Sequence, residues 1–348
     1  MSAAPNRRLV AVVLLVPMVV ALVLWAFAWP AARMTPRDLP VGVAGSAPAA
    51  DQLQRQLEQR DGAFEIHRYD SETAARTAIE DRAVYGAVVA TAKGPELLTA
   101  SAAGPVVAQL LHEAVTASAP AGTAVPVTDV VAAPAADPRG SVLGASILPL
   151  AIAGMAAGSA VTLLRLRGGR AASALIGVAA LVGVVATALT DSWLGVITGD
   201  WWSEVGALGL TVLAVGAPVA GLAALIGPAG IGLGALLMVL VGNPFSGVTS
   251  APELLPQPVG AIGQLLPPGA GGSLLRSVAF FDGHAAGGAV LTLALWAVLG
   301  LTAVIIGGRR RAPAPDAPEA AAEGGPPPGG GRPPPKGGVP PPGGGGGG

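Results

Sequence analysis

Two histidine–acid pairs are the first groups in this sequence to test for chemistry. His67 lies beside Glu65 on the alternating run Phe64–Tyr69, and His112 precedes Glu113 on the helical stretch Pro105–Ala117. Two imidazoles and two carboxylates are a possible donor set for a divalent metal or a general base. No HExxH, CxxC or comparable spacing joins them, so exposed or hydrogen-bonded structural roles are the favoured reading. Asp51, Glu58, Asp61, Glu80 and Asp81 have arginines nearby in sequence and read as solvated helix faces rather than paired catalytic acids. The chain has no cysteine, which excludes disulfides, thiolate metal sites and cysteine nucleophiles. Lys93 and Lys336 are the only lysines and neither stands in GxxxxGK[ST], so ATP hydrolysis on this polypeptide is not expected. No catalytic residue, cofactor or metal ligand is assigned, and the chain is not read as an enzyme.

The elements that carry these residues are those of an integral membrane protein. Of the 348 residues 52% are hydrophobic and 12% charged, and the latter is about half the usual share of a soluble domain. The net charge of −1 gives no footprint for nucleic acid, so none is expected as a partner. The uncharged run Leu9–Trp29 is long enough, at about 1.5 Å per residue, to cross a hydrocarbon layer of about 30 Å. Arg7 and Arg8 precede it and Ala31 and Ala32 follow, as in a cleaved signal peptide. Its length and the interfacial Trp25 and Trp29 favour a retained helix. Five more spans are predicted near Val142–Leu164, Ala171–Thr190, Val205–Ile226, Ala229–Val241 with some extension, and Ala286–Gly307. Only Gly227 and Pro228 separate the fourth from the fifth, so a broken hairpin within the bilayer is the alternative there. None of the six predicted spans contains an ionisable residue, which disfavours a proton- or sodium-coupled carrier.

Basic residues set the expected orientation. Arg7 and Arg8, then Arg165, Arg167 and Arg170, then Arg309–Arg311 fall on one side if the chain crosses six times, and that side is predicted to be cytoplasmic. The intervening loop Asp191–Glu204 holds only acidic charges and three tryptophans and belongs outside, so both termini are expected in the cytoplasm. The short turn bearing Arg165, Arg167 and Arg170 is the candidate for coupling to a cytoplasmic partner.

Residues 30–141 form the polar block and are predicted to be a small extracytoplasmic α/β domain. Strand-like runs Leu39–Gly45, Phe64–Tyr69, Val84–Ala90, Glu96–Ala100 and Ala124–Ala132 alternate with helical spacing at Asp51–Arg60, Ser71–Arg82 and Pro105–Ala117. Such alternation implies a largely parallel sheet with helices against it, large enough to have its own core. Ser71 is placed to cap its helix. The predicted five-helix region, 142–308, includes an outer loop, Asn243–His284, that is too apolar to be free and too rich in proline to span. It is expected to re-enter the membrane or lie in the interface. Arg276 in this loop could snorkel, pair with Glu253 or Asp282, or face a passage; the first two are favoured, and these three residues are the candidate functional groups of the outer loop. From Arg309 to Gly348 glycine and proline make up more than half of the residues, so a disordered tail is expected, with polyproline runs such as Pro333–Pro335.

One loop reads Gly242-Asn243-Pro244-Phe245-Ser246-Gly247, then Pro252-Glu253-Leu254-Leu255-Pro256, then Leu266-Pro267-Pro268-Gly269 through Leu275-Arg276. The outer block adds Leu39-Pro40-Val41-Gly42-Val43, Tyr69-Asp70-Ser71 with Ala74-Ala75, and Tyr85-Gly86-Ala87-Val88-Val89. With the order of spans, these resemble the phage-infection-protein-like (YhgE/Pip) membrane family, which is allied with the type-2 ABC permeases. The resemblance covers roughly residues 8–308 and lacks the long coiled-coil insertion of larger relatives. It implies an export permease working with a separate cytoplasmic ATP-binding subunit, or a related membrane protein of unknown cargo; a bacterial plasma membrane and a homodimer are expected with the permease reading. The alternative is a non-transporting anchor that displays the outer domain as a binding module. No catalytic residue is implied.

Overall fold

The computed structural model describes residues 4–118 and 124–310. The glycine- and proline-rich tail, with its polyproline runs, lies outside the described residues. The first helix, α1 (Ala4–Ala31), is followed by β1 (Leu39–Gly45), α2 (Ala47–Glu58), β2 (Phe64–Tyr69), α3 (Glu72–Glu80), β3 (Gly86–Thr91), β4 (Gly94–Thr99), α4 (Pro105–Ser118) and β5 (Val127–Asp129). The sheet order is β2-β1-β3-β4-β5, parallel except between β3 and β4. The two-residue connection at Ala92–Lys93 permits the antiparallel pair, whereas each parallel pair needs a helical crossover. Ser71 caps α3 by accepting the Ala74 N–H at 3.1 Å.

Each face of this sheet packs into a separate core. Leu39, Val41, Val43, Val88 and Leu97 meet α2 and α4 on one side; Ala87, Val89 and Leu98 meet α3 on the other. Neither core belongs to residues 30–141 alone. Ala251 and Leu254 complete the first and Phe281 the second, all three contributed by the predicted outer loop, Asn243–His284. The expectation of a self-contained core is corrected accordingly, since both faces of the sheet pack against residues from outside the block.

The helical body comprises α5 (Ser141–Leu163), α6 (Gly168–Thr187, extended by a π-helical turn to Trp193), α7 (Trp201–Ile226), α8 (Ala229–Leu236, extended by a π-helical turn to Gly242), α9 (Val259–Gln264), α10 (Pro267–Phe280) and α11 (Gly287–Arg310). α7 is central, touching α5, α6, α8, α10 and α11. Its contacts with α5 pass through glycine: a Cβ on Gly158 would stand 2.6 Å from the Gly216 carbonyl oxygen, and one on Gly154 2.7 Å from that of Val212. Only a missing side chain lets the two backbones approach so closely.

Among the described residues, five helices are long and apolar enough to cross a membrane: Leu9–Ala31, Ser141–Leu163, Gly168–Trp193, Trp201–Ile226 and Gly287–Arg309. The predicted fifth of six spans is instead a short apolar helix, Ala229–Gly242. At about 1.5 Å per residue it reaches about 20 Å, short of a hydrocarbon layer of about 30 Å. The remaining height alongside α7 is filled by α10. Gly230 abuts Leu222 and Gly234 abuts Val219, so α8 follows the C-terminal half of α7. Gly271 abuts Thr211 and Gly199 abuts Ala279, so α10 follows the N-terminal half. The two short helices meet where Gly242 touches Pro268.

The spans also begin earlier and end later than their hydropathy suggests. α7 starts at Trp201 and the helix of α6 runs to Trp193, which brings Asp191 and Glu204 into the terminal turns of candidate spans. The expectation of spans free of ionisable residues is therefore corrected. Helix propagation does not stop at the first charge when a cap is available, and Asp200 supplies one by accepting the Ser203 N–H at 2.8 Å.

Candidate functional site: a polar cavity between the sheet domain and the helical body

The end of β3's preceding loop, the outer loop and α10 converge on a group of polar side chains. Tyr85 donates its phenolic hydrogen to Glu253 Oε2 at 2.8 Å. Arg82 donates to the Ser273 carbonyl oxygen at 3.1 Å and to the Ser277 hydroxyl. It also stands 5.3 Å from the centre of the Phe281 ring, a cation–π contact. Arg276, buried on α10, donates to the Val248 carbonyl oxygen at 2.7 Å. The loop's backbone is tied to the sheet domain as well: the Thr35 and Arg37 N–H groups donate to the Leu254 and Glu253 carbonyls, each at 3.0 Å.

These groups surround a cavity of about 540 Å³. Its wall includes Arg82, Tyr85, Glu253, Gln257, Gln264 and Arg276, together with apolar Pro40, Ile79, Val84 and Leu265 and the first turns of α11 at Gly288, Ala289 and Thr292. Burial, and then the neighbouring Glu253, push the Tyr85 phenol well above its ordinary value, so it stays a donor. Burial likewise lowers Arg82. The Arg82 and Arg276 guanidiniums are cations at neutral pH.

Of the three outer-loop residues singled out by sequence, Glu253 and Arg276 line this cavity and Asp282 does not. Asp282 is exposed in the turn after α10, with a left-handed φ of 48°, and the proposed Arg276–Asp282 pair is not formed. Arg276 is bound to backbone and buried rather than extended toward a surface, which also corrects the snorkelling expectation. Arg82 and Tyr85 were not identified as site residues from sequence. Arg82 sits at φ 60°, in a region disfavoured for a residue that carries a Cβ, and only the fold explains why it is placed there. Glu204 was also missed: it is fully buried, its Oε1 accepts the Gly199 N–H at 2.7 Å, and its Oε2 has no partner.

The histidines do not assemble into a site. His67 stands 3.6 Å from Glu65 with both exposed, and His112 is exposed on α4. Among the described residues no group of three His, Cys, Asp or Glu is placed to hold a metal ion. Among the helical carboxylates, Glu72 pairs one turn on with Arg76 at 2.9 Å, whereas Asp51 reaches across to Arg68 of β2 at 3.1 Å and Asp81 stands 3.1 Å from His284, so the partners are not all helix neighbours.

At the opposite end of the body, Arg165, Arg167 and Arg170 are exposed on the α5–α6 turn. A second cavity of about 320 Å³ lies there, lined by Arg165, Arg167, Ala223, Pro228 and Gly307 among others. The C-terminus of α11 reaches the same turn, since Gly308 abuts Gly168.

The family model described as ABC-2 family transporter protein matches residues 7–131, the stretch from α1 through β5. The match supports a relationship to ABC-2 permeases, a family of transporter components rather than enzymes. With the five apolar helices it supports a multi-pass membrane protein with a permease-type role. Comparison with curated proteins and with solved structures returns no match.

Proposed function

We propose that this chain is the membrane subunit of a type-2 ABC exporter, moving a substrate outward through work done by a separate ATPase. The observation that carries the reading is the ABC-2 match over α1 and the sheet domain, joined to a body of long apolar helices. The absence of a P-loop from the sequence is consistent with ATP being hydrolysed elsewhere. On this reading residues 30–141 face the exterior, both termini face the cytoplasm of a bacterial cell, and α10 is a re-entrant helix capped by the outer domain. The closer kinship proposed is with the phage-infection-protein-like (YhgE/Pip) proteins, on the outer-loop motifs quoted above.

The α5–α6 turn is the proposed contact for the ATPase, because Arg165, Arg167 and Arg170 present three exposed cations beside the ends of α7 and α11. A push on this turn would act on α7, against which α5 and α6 both pack. Proteoliposomes holding this chain and the ATPase that copurifies with it test the reading. Stimulated ATP hydrolysis should be lost when Arg165, Arg167 and Arg170 are all replaced by Ala, and stimulation that survives would overturn the coupling assignment. A homodimer is proposed with it, because α1 touches little of the described body beyond the end of α8 and leaves a long apolar face uncovered.

A further inference from the structure

We infer that the 540 Å³ cavity is a binding site for an amphiphile carrying a single negative charge on a phosphate headgroup. The inference rests on the membrane placement proposed above but not on transport.

Charge is the first argument. Arg82 and Arg276 contribute two positive charges to the wall and Glu253 one negative, leaving one positive charge unbalanced. Glu253 is already held by the Tyr85 hydroxyl. A cation removed from water without an anion is costly, and the cost falls when an anion with hydrogen-bonding oxygens enters.

Unused donors are the second. A guanidinium has five N–H groups in a planar fork. Arg276 is buried, yet its hydrogen bond within the chain is the one from Nη2 to Val248. Arg82 uses Nη1 alone, for Ser273 and Ser277. Among the described residues the Nε atoms of both, Nη1 of Arg276 and Nη2 of Arg82 have no acceptor and can donate to phosphate oxygens, the geometry in which arginine exceeds lysine. Gln257 adds an exposed amide on the same wall.

The surroundings of the cavity decide between a free anion and an amphiphile. Leu265 forms part of its wall and is 65% exposed on its other side. Trp296 fixes that position by donating its indole N–H to the Leu265 carbonyl at 2.8 Å. On α11, Gly288 and Thr292 line the cavity, while Leu291 and Leu295, each three residues further on, are exposed apolar side chains. A headgroup seated between the arginines would therefore have exposed Leu265, Leu291 and Leu295 beside it for an acyl chain to cover, which a hydrated ion would leave bare. The volume lies within the range of small-ligand pockets, about 300–1,000 Å³.

The test is binding of phosphatidylglycerol to the purified full chain in a neutral detergent, followed by native mass spectrometry, with phosphatidylcholine and glycerol 1-phosphate as the other arms. Saturable phosphatidylglycerol binding at least about tenfold tighter than either is expected, as is about a tenfold loss in Arg276→Gln with partial recovery in Arg276→Lys. Should Arg276→Gln fail to fold, Gln257→Leu reads the same wall from an exposed side chain, and a loss of about threefold is expected. Equal binding of the two lipids, or phosphatidylglycerol binding unchanged in these variants, overturns the site. Glycerol 1-phosphate binding as tightly as the lipid overturns the amphiphile and leaves a soluble anion. Because no ATPase is present, failure here leaves the transport reading standing, and failure of transport leaves this one standing.

Discussion

α1 and α7 are both long, apolar and able to span a bilayer, yet one is nearly bare and the other is the centre of the fold. In its most apolar stretch α1 is 6% buried, with a mean hydropathy of 3.0; α7 is 67% buried, at 2.1. The more hydrophobic helix is the less buried one. Lipid tails are as apolar as leucine, so hydrophobicity drives a helix into the membrane but gives no reason for it to meet another helix. Contact is decided by shape. α7 carries Gly209, Ala214, Gly216, Ala217, Ala220 and Gly221, which admit neighbouring backbones, whereas α1 is rich in Val and Leu whose branched side chains are exposed.

The sharpest way to break that contrast is to put bulk on α7. Gly216→Leu would drive a side chain into the Gly154 carbonyl oxygen, 2.8 Å from where its Cβ must stand. Backbone cannot rotate aside, so a loss of about 3 kcal/mol, the upper end of the usual overpacking cost, is expected. It should appear as loss of a monodisperse peak in detergent chromatography. A smaller effect is expected where the sheet domain meets the loop. Tyr85→Phe removes the donor to Glu253 and leaves that carboxylate unpaired, costing about 1–3 kcal/mol. Faster hydrogen exchange confined to Leu39–Gly45 and Pro252–Leu255 would show it, and Glu253→Gln, which keeps an acceptor, should be milder.

The cap of α7 comes next. Hydrogen bonds from the Ser203 backbone and hydroxyl hold the Asp200 carboxyl below its ordinary value. A lowered carboxyl pKa stabilises the fold fully above the unfolded value, and the contribution is lost as pH falls through the folded one. Asp200→Ala should therefore lower the melting temperature slightly at pH 7, and the difference from the parent should shrink as pH falls below the ordinary carboxylate range. The smallest change belongs to α1: Leu15→Ala, at an exposed position, should shift stability by less than about 0.5 kcal/mol in detergent. Were the same substitution to dissociate a dimer, the bare face of α1 would be the subunit contact.

Much of this architecture is legible in the chain because its periodicities are local. β1 and β2 occupy the predicted bounds, and Ser71 caps the helix it was expected to cap. Long apolar runs mark four of the five subsequent spans within a few residues, differing at their ends where Asp200 and the π-helical turn extend the helices past the hydropathy boundary. The fifth run is apolar like a span, but Gly227 and the proline-rich segment after Asn243 limit it to a short helix. The cavity was half legible. Glu253 and Arg276 stand out as charges in an apolar loop, whereas Arg82 and Tyr85 lie almost two hundred residues away and resemble ordinary surface residues of a small domain. Their role depends on a contact between distant segments that no local pattern encodes.

The central claim is that the sheet domain and the arginine-bearing turn lie on opposite sides of a bilayer. The chain has no cysteine, so single cysteines can report it directly. Lys93→Cys is exposed in the β3–β4 turn, and Gly169→Cys has open space around its Cβ beside the arginines. With a membrane-impermeant maleimide on intact cells, the account predicts labelling at position 93 and none at position 169 until the membrane is permeabilised. Labelling of both before permeabilisation, or of position 169 alone, would contradict it.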